Sequence, residues 1–208
     1  TVFFETTGSG GTKIHLQKNL PLSAGIGAGS GNAAWTLRGL NELFDHPIPP
    51  ESLHPLAAQL GSDIPFFLQD NPAKATGRGE IIQPLEPISV LQGRGLLMVW
   101  PGFGISTPWA YSALASSDEY LTRDNARSIL NGELAELFNS LEQPVFQKYT
   151  LLPGIKEFFQ INGALGALMS GSGSTMFAIT EDRPAAEALR AKYHERFGQA
   201  GWSATVCL

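Results

Sequence analysis

Residues 21–34 read Pro21-Leu22-Ser23-Ala24-Gly25-Ile26-Gly27-Ala28-Gly29-Ser30-Gly31-Asn32-Ala33-Ala34, a glycine-dense loop running directly into an amphipathic segment. Glycine at alternate positions (Gly25, Gly27, Gly29, Gly31) removes every second side chain, so successive backbone N–H groups can converge on an anion. Ser30 is expected to open the helix that follows, where the unpaired N–H groups and the positive end of the helix dipole favour a dianionic ligand. Ala33, Leu37, Leu40 and Phe44 recur at helical spacing as one apolar stripe, with Arg38, Asn41 and Glu42 off it. A bare linker would need neither the preceding proline nor this helix. The spacing excludes a Walker loop, which needs G-x-x-x-x-G-K-[ST]. It also excludes a G-x-G-x-x-G fingerprint, because Ser30 or Asn32 falls where the third glycine belongs.

With 208 residues, 43% hydrophobic and 16% charged, the chain has globular composition and can bury a sizeable core. A net charge of −5 and the lack of a basic run argue against nucleic acid or an anionic membrane as the main partner. The longest apolar run, Leu96 to Trp100, is too short to span a bilayer. Cys207 stands alone, which excludes an internal disulfide and fits a reducing cytoplasm. The chain begins at Thr1 without a signal-peptide pattern, so it is expected to start part-way through a longer protein, as a monomer or homodimer.

Alternation over Lys13 to Lys18 predicts a half-buried strand leading into the loop, with His15 on its outer face. Glu51 to Leu60 reads as a helix stopped by Gly61, after a proline-rich connection that carries His46. Asp63, in Ser62-Asp63-Ile64-Pro65-Phe66-Phe67-Leu68, reads in isolation as an N-cap before a proline-started helix. Glycines and prolines between Gly77 and Gly95 suggest a domain boundary near residues 85–93. Beyond it, Gly95 to Trp100 predicts a buried strand and Pro108 to Ala115 a helix. Asp124 to Leu130, Glu133 to Leu141 and Ile155 to Ile161 form a helical group, with Pro144 bounding the second. Ala164 to Met169 and Thr175 to Thr180 read as strands around Gly171-Ser172-Gly173-Ser174, which is either a hairpin turn or a close approach to a ligand. Arg183 to Phe197 predicts a helix and Trp202 to Cys207 a last strand.

Three segments taken in order resemble the GHMP kinases: the Pro21-to-Gly31 loop, Leu60-Gly61-Ser62-Asp63-Ile64-Pro65-Phe66-Phe67, and Met169-Ser170-Gly171-Ser172-Gly173-Ser174-Thr175. The resemblance runs over essentially the whole chain. It is closest to the branch with a longer loop, G-L-G-G-G-S-S-D-A-A, an L-G-A-D-V-P-F-F segment and a G-x-G-E-x-x-x-P element. That element appears here as Gly77-Arg78-Gly79-Glu80-Ile81-Ile82-Gln83-Pro84, and Pro101 to Thr107 is similar to the branch's substrate-side segment. Gly31 stands where the branch has a second serine and Asn32 where it has aspartate. Backbone donors survive both changes, but any role of the second hydroxyl is lost. The branch's opening A-K-[IL]-N-L strand is absent, so the chain resembles a member lacking its N-terminal portion and is expected to be inactive as it stands.

The resemblance implies an α+β, two-domain GHMP kinase fold. An incomplete N-terminal ATP-binding domain would span residues 1–88 and a ferredoxin-like C-terminal domain residues 89–208. It implies ATP and Mg²⁺ as cofactors, with the γ-phosphoryl group passing to the 2-hydroxyl of 4-diphosphocytidyl-2-C-methyl-D-erythritol in isoprenoid precursor synthesis. Asp63 matches the catalytic aspartate. Lys18, Pro21, Leu22, Ser23, Ala24, Gly25, Ile26, Gly27, Ala28, Gly29, Ser30 and Gly31 match the ATP-binding positions, with Lys18 near the adenine and Ser30 also contributing to the metal. Thr107 would lie on the acceptor side, and Gly171, Ser172, Gly173 and Ser174 close to the phosphates. Another small-molecule kinase of the superfamily, or a nucleotide-binding fragment without catalysis, remains an alternative.

Overall fold

A computed structural model of the chain describes residues 2–8, 10–115 and 133–208. The backbone divides into two units, one of Thr1–Leu20 with Gly27–Pro87 and one of Pro21–Ile26 with Ile88–Leu208.

In the first unit, α1 (Val2–Thr7), α2 (Ala28–Leu43) and α3 (Pro50–Leu60) precede a 3-10 turn at Pro65–Leu68 and a hairpin of β1 (Ala73–Thr76) and β2 (Ile81–Pro84). Its core gathers Phe3, Ala34, Leu37, Leu40, Ile48, Leu56, Ala57 and Ile64. The buried face of α2 is rotated from the stripe read in the sequence. Ala34 and Asn41 are buried with Leu37 and Leu40, while Ala33 and Phe44 lie at its edge. Asn41 is buried because its side-chain amide acts as a short strand partner. Its Nδ2 donates to Ile48 O at 2.9 Å and its Oδ1 accepts from Ile48 N at 3.0 Å, closing the proline-rich connection. The helix also starts earlier than Ser30. Gly27, in the left-handed region at φ 67, is its N-cap, and Gly31 N donates to Gly27 O at 2.9 Å. The expected strand at Lys13 to Lys18 does not form. Ile14 and Leu16 are 56% and 57% exposed, and no described strand pairs with them. Alternation alone makes no strand, because each backbone N–H and C=O needs a ladder partner.

The second unit carries β3 (Gly95–Trp100), α4 (Thr107–Ala115), α5 (Glu142–Lys148), α6 (Leu151–Ile161), β4 (Gly166–Met169), β5 (Met176–Thr180), α7 (Arg183–Phe197) and β6 (Trp202–Cys207). Four of these strands form an antiparallel sheet in the order β4-β5-β3-β6. Alternation along β3 buries Leu97 and Val99, which join Ile155 and Phe159 of α6 and Ala186, Leu189 and Tyr193 of α7 in one core. Asp182 caps α7 by accepting from Ala185 N at 2.8 Å, and Gly198 ends it at φ 82. The sequence boundaries of β3, α7 and β6 are reproduced. The helix expected over Glu133 to Leu141 is instead a 3-10 turn at Leu134–Glu136 followed by irregular chain. Pro144 lies inside the first turn of α5 and does not end a helix there, since a residue without an N–H is tolerated where no intrahelical donor is needed. The helix expected at Asp124 to Leu130 lies outside the described residues. Among the described residues no helix is long and apolar enough to cross a membrane.

Asn41→Ala removes both bonds to Ile48 and leaves that backbone pair without partners in the core. It is expected to destabilise the first unit by about 2 kcal/mol, measured by urea unfolding.

Candidate active site

The opening half of the glycine loop is held by the second unit. Thr175 N donates to Ala24 O at 3.1 Å and Ser170 Oγ to Gly25 O at 3.0 Å. A Cβ on Gly25, which has φ +78, would lie 2.2 Å from Ser170 O and 2.7 Å from Gly173 O, so only glycine fits. Ser23 packs in the same way against Gly104, where a Cβ would come within 2.9 Å of Ser23 Cβ. The Gly171-to-Ser174 segment is therefore both a hairpin turn, closed by Gly173 N on Ser170 O at 2.9 Å, and a main-chain support for the loop. Its serine hydroxyls are engaged within the protein. Ser172 Oγ lies 2.8 Å from Thr107 Oγ1, and Ser174 Oγ donates to Phe103 O.

The closing half belongs to the first unit and leans on Phe67. A Cβ on Gly27 would meet the Phe67 ring at 2.6 Å, and one on Gly31 at 3.5 Å, so this ring packs along the entry to α2. Around Gly29, by contrast, no such atom lies within 4 Å. Gly27 brings no capping side chain and the first turn carries no acidic residue, which leaves that helix end open to an anion. Lys18 borders a cleft with Gln17, Asn19, Leu20, Ala28 and Asn32, so the loop before the glycines and the first turn of α2 share one concavity. Ser30 projects from that turn, and its hydroxyl has no hydrogen-bond partner among the described residues.

Asp63 is exposed at the start of the segment leading to Phe67, and it does not cap the 3-10 turn. The β1–β2 turn lies beside it, because a Cβ on Gly79, at φ +116, would be 3.3 Å from Asp63 Oδ1. The same turn is tied by Arg78 N donating to Glu80 Oε2 at 2.8 Å. Hydrogen bonds from the backbone of Glu80 itself and from Arg78, helped by the Arg78 charge, hold the Glu80 carboxyl below the usual glutamate range. The Gly77-to-Pro84 element thus acts as a wall next to Asp63.

Sequence reasoning missed the frame under the 170–175 loop. Asn139 Nδ2 donates to Met169 O and Gly171 O, both at 2.8 Å. Glu142, 8% exposed, accepts from Met169 N at 2.8 Å and pairs with Lys156 Nζ at 2.5 Å. A carboxylate just past a predicted helix gives no signal that it holds backbone twenty-seven residues away. Among the described residues no group of three or more His, Cys, Asp or Glu side chains could hold a metal ion.

The GHMP kinases N-terminal domain model matches residues 1–71 and the GHMP kinases C-terminal model residues 114–199. A 4-diphosphocytidyl-2-C-methyl-D-erythritol kinase of Pelobacter propionicus is 36% identical over 201 residues, which are 96% of this chain and 70% of that protein. The chain belongs to the GHMP kinase family. A protein of the same name from Methylacidiphilum infernorum is 43% identical over 170 residues, 81% of this GHMP kinase chain and 58% of that relative. The chain thus spans 58 to 70% of the length of these two curated relatives. A crystal structure of 4-(cytidine 5'-diphospho)-2C-methyl-D-erythritol kinase superposes with a TM-score of 0.76 at 33% identity, covering 98% of this chain and 74% of that one. Homoserine kinase from Cytophaga hutchinsonii shares the fold, with a TM-score of 0.67 at 17% identity, over 98% of this chain and 72% of its own. The family is one of ATP-dependent small-molecule kinases, and its two-domain α+β fold is the one described above.

Because its folded value is depressed, the Glu80 carboxylate stabilises the turn above the ordinary glutamate range, and that contribution is lost as pH falls through the folded value. An NMR titration is expected to place the Glu80 midpoint below the ordinary glutamate range, and Glu80→Gln to remove this pH dependence from the turn. Gly79→Ala forces a side chain into a left-handed position beside Asp63. It is expected to cost about 1–3 kcal/mol, read by chemical denaturation, and to shift the Asp63 resonances.

Proposed function

We propose that the protein carrying this chain transfers the γ-phosphoryl group of ATP to the 2-hydroxyl of 4-diphosphocytidyl-2-C-methyl-D-erythritol. The observation that carries this reading lies within the first unit. Phe67 packs on Gly27 and Gly31 at the open end of α2, and Asp63 begins the same short segment as Phe67. The entry to α2 and the short segment that carries Asp63 are thereby packed together, which supports a phosphate site beside a carboxylate in a chain whose relatives of 36% and 43% identity carry the name of that kinase.

Phosphoryl transfer depends on positioning and on neutralising charge around the transferred group. In this reading the backbone N–H groups of Leu22 to Ser30 cradle the triphosphate, that of Gly31 being taken by Gly27 O within α2, and the cleft bordered by Lys18 takes the nucleoside. Asp63 is the base. The acceptor oxygen forms its bond to the γ-phosphorus as the bond to the β–γ bridging oxygen breaks; ADP leaves, and the hydroxyl proton passes to the Asp63 carboxylate. Thr107 lies on the acceptor side, and Gly171 to Ser174 near the phosphates.

For Mg²⁺, the Ser30 hydroxyl is a hard oxygen free of internal hydrogen bonds. Such an ion would supply charge neutralisation on the β- and γ-phosphates.

Asp63→Ala is expected to lower turnover by about three orders of magnitude while ATP affinity is unchanged, measured by coupled ADP release and by calorimetry. Turnover at the level of the unaltered protein would overturn the assignment of the base. A panel including homoserine and mevalonate tests the acceptor, and faster transfer to either would overturn the cytidylylated substrate.

A further inference from the structure

The amide of Asn139 is fully used. Its Nδ2 donates to Met169 O and Gly171 O, each at 2.8 Å, and its Oδ1 accepts from Leu141 N at 3.0 Å ahead of α5. In a trans peptide the C=O and the following N–H point in opposite directions. Holding the Gly171 carbonyl toward Asn139 therefore turns the Ser172 N–H to the other side. Among the described residues no hydrogen bond takes that N–H. Ser172 is only 7% exposed, so its N–H is a donor in want of an acceptor. The Gly171–Ser172 peptide is also the central one of the turn closed by Gly173 N on Ser170 O, and the orientation of that peptide distinguishes one turn type from another. Without Asn139 nothing described fixes the Gly171 carbonyl on that side.

We propose that Asn139 is a positioning residue for nucleotide binding: its amide locks the Gly171–Ser172 peptide so that the Ser172 N–H is presented to a phosphate oxygen. The lock rests on the phosphoryl-transfer reading and names a residue that touches no ligand itself. Glu142, fixed by Lys156, holds the N–H of Met169 while Asn139 holds its carbonyl, so both sides of the residue entering the loop are anchored. The same loop carries Ser170 and Thr175, which hold Gly25 and Ala24, so the lock also reaches the glycine loop through main chain.

The test measures ATP and adenosine affinity by calorimetry, with thermal unfolding alongside, for the unaltered protein, Asn139→Asp and Asn139→Ala. Asn139→Asp keeps the acceptor for Leu141 and loses both donations, so the entry to α5 stays intact. Asn139→Ala loses the donations without adding charge. Both are expected to weaken ATP about tenfold and leave adenosine unchanged, because only the phosphates meet the loop. Parallel weakening of ATP and adenosine, an unchanged ATP affinity in both variants, or a loss confined to Asn139→Asp overturns the lock. An unaltered protein that binds no ATP overturns the phosphoryl-transfer reading and the lock with it, and this result precedes any substitution.

Discussion

At Gly25 the backbone runs against the backbone of residues 170–173 with no space for a side chain, and the path of the glycine loop depends on that contact. A Cβ there would overlap Ser170 O at 2.2 Å, a distance that no shift of a flexible side chain could relieve. Glycine-rich segments are ordinarily the mobile parts of a structure. Here the opening half of the segment is pinned by Ser170 and Thr175 to the β4–β5 hairpin, whose strands are fully or largely buried in the sheet. Each bond contributes only about 1 kcal/mol net, so the gain lies less in stability than in a single backbone path for the donors.

The closing half is fixed by other means. Phe67 packs against the backbone at Gly27 and Gly31, which fixes the entry to α2 while its first-turn N–H groups stay without a capping side chain. That ring explains why a glycine loop and an Asp-Ile-Pro-Phe-Phe segment occur together in one chain. The segment supplies a wedge for the helix end and a carboxylate from the same few residues, and the hairpin turn at Gly79 closes on that carboxylate from another side.

Much of this was legible in the sequence, where periodicity and punctuation agree with tertiary structure. The spans of β3, α7 and β6 were read from the sequence as a buried strand, a helix and a last strand, and the structure keeps the same bounds. The loop, Asp63 and the Gly171-to-Ser174 turn were recognisable as a set. Their contacts were not, because Gly25 against Ser170 and Gly79 against Asp63 join residues whose spacing carries no period. Asn41 was misread because an amide on a helix ordinarily faces water, and the Ile48 backbone it satisfies is visible only once the chain has folded. The Lys13 to Lys18 alternation failed for the complementary reason, since its polarity pattern was right and no described strand lay beside it. Asn139 fell in a stretch read as helix, where side chains are judged by face and not by reach, and Glu142 fell just past its end.

Gly29 separates two selective demands that usually fall on the same residue. Gly25 and Gly27 are required by folding, because neighbouring atoms occupy the space of a side chain; Gly29 has no such neighbour. If that position is invariant across the family, the cause lies outside the polypeptide, in whatever fills the volume above it. A stability-driven redesign of the loop would treat Gly29 as free to change and so would erase information that the folded chain does not itself encode.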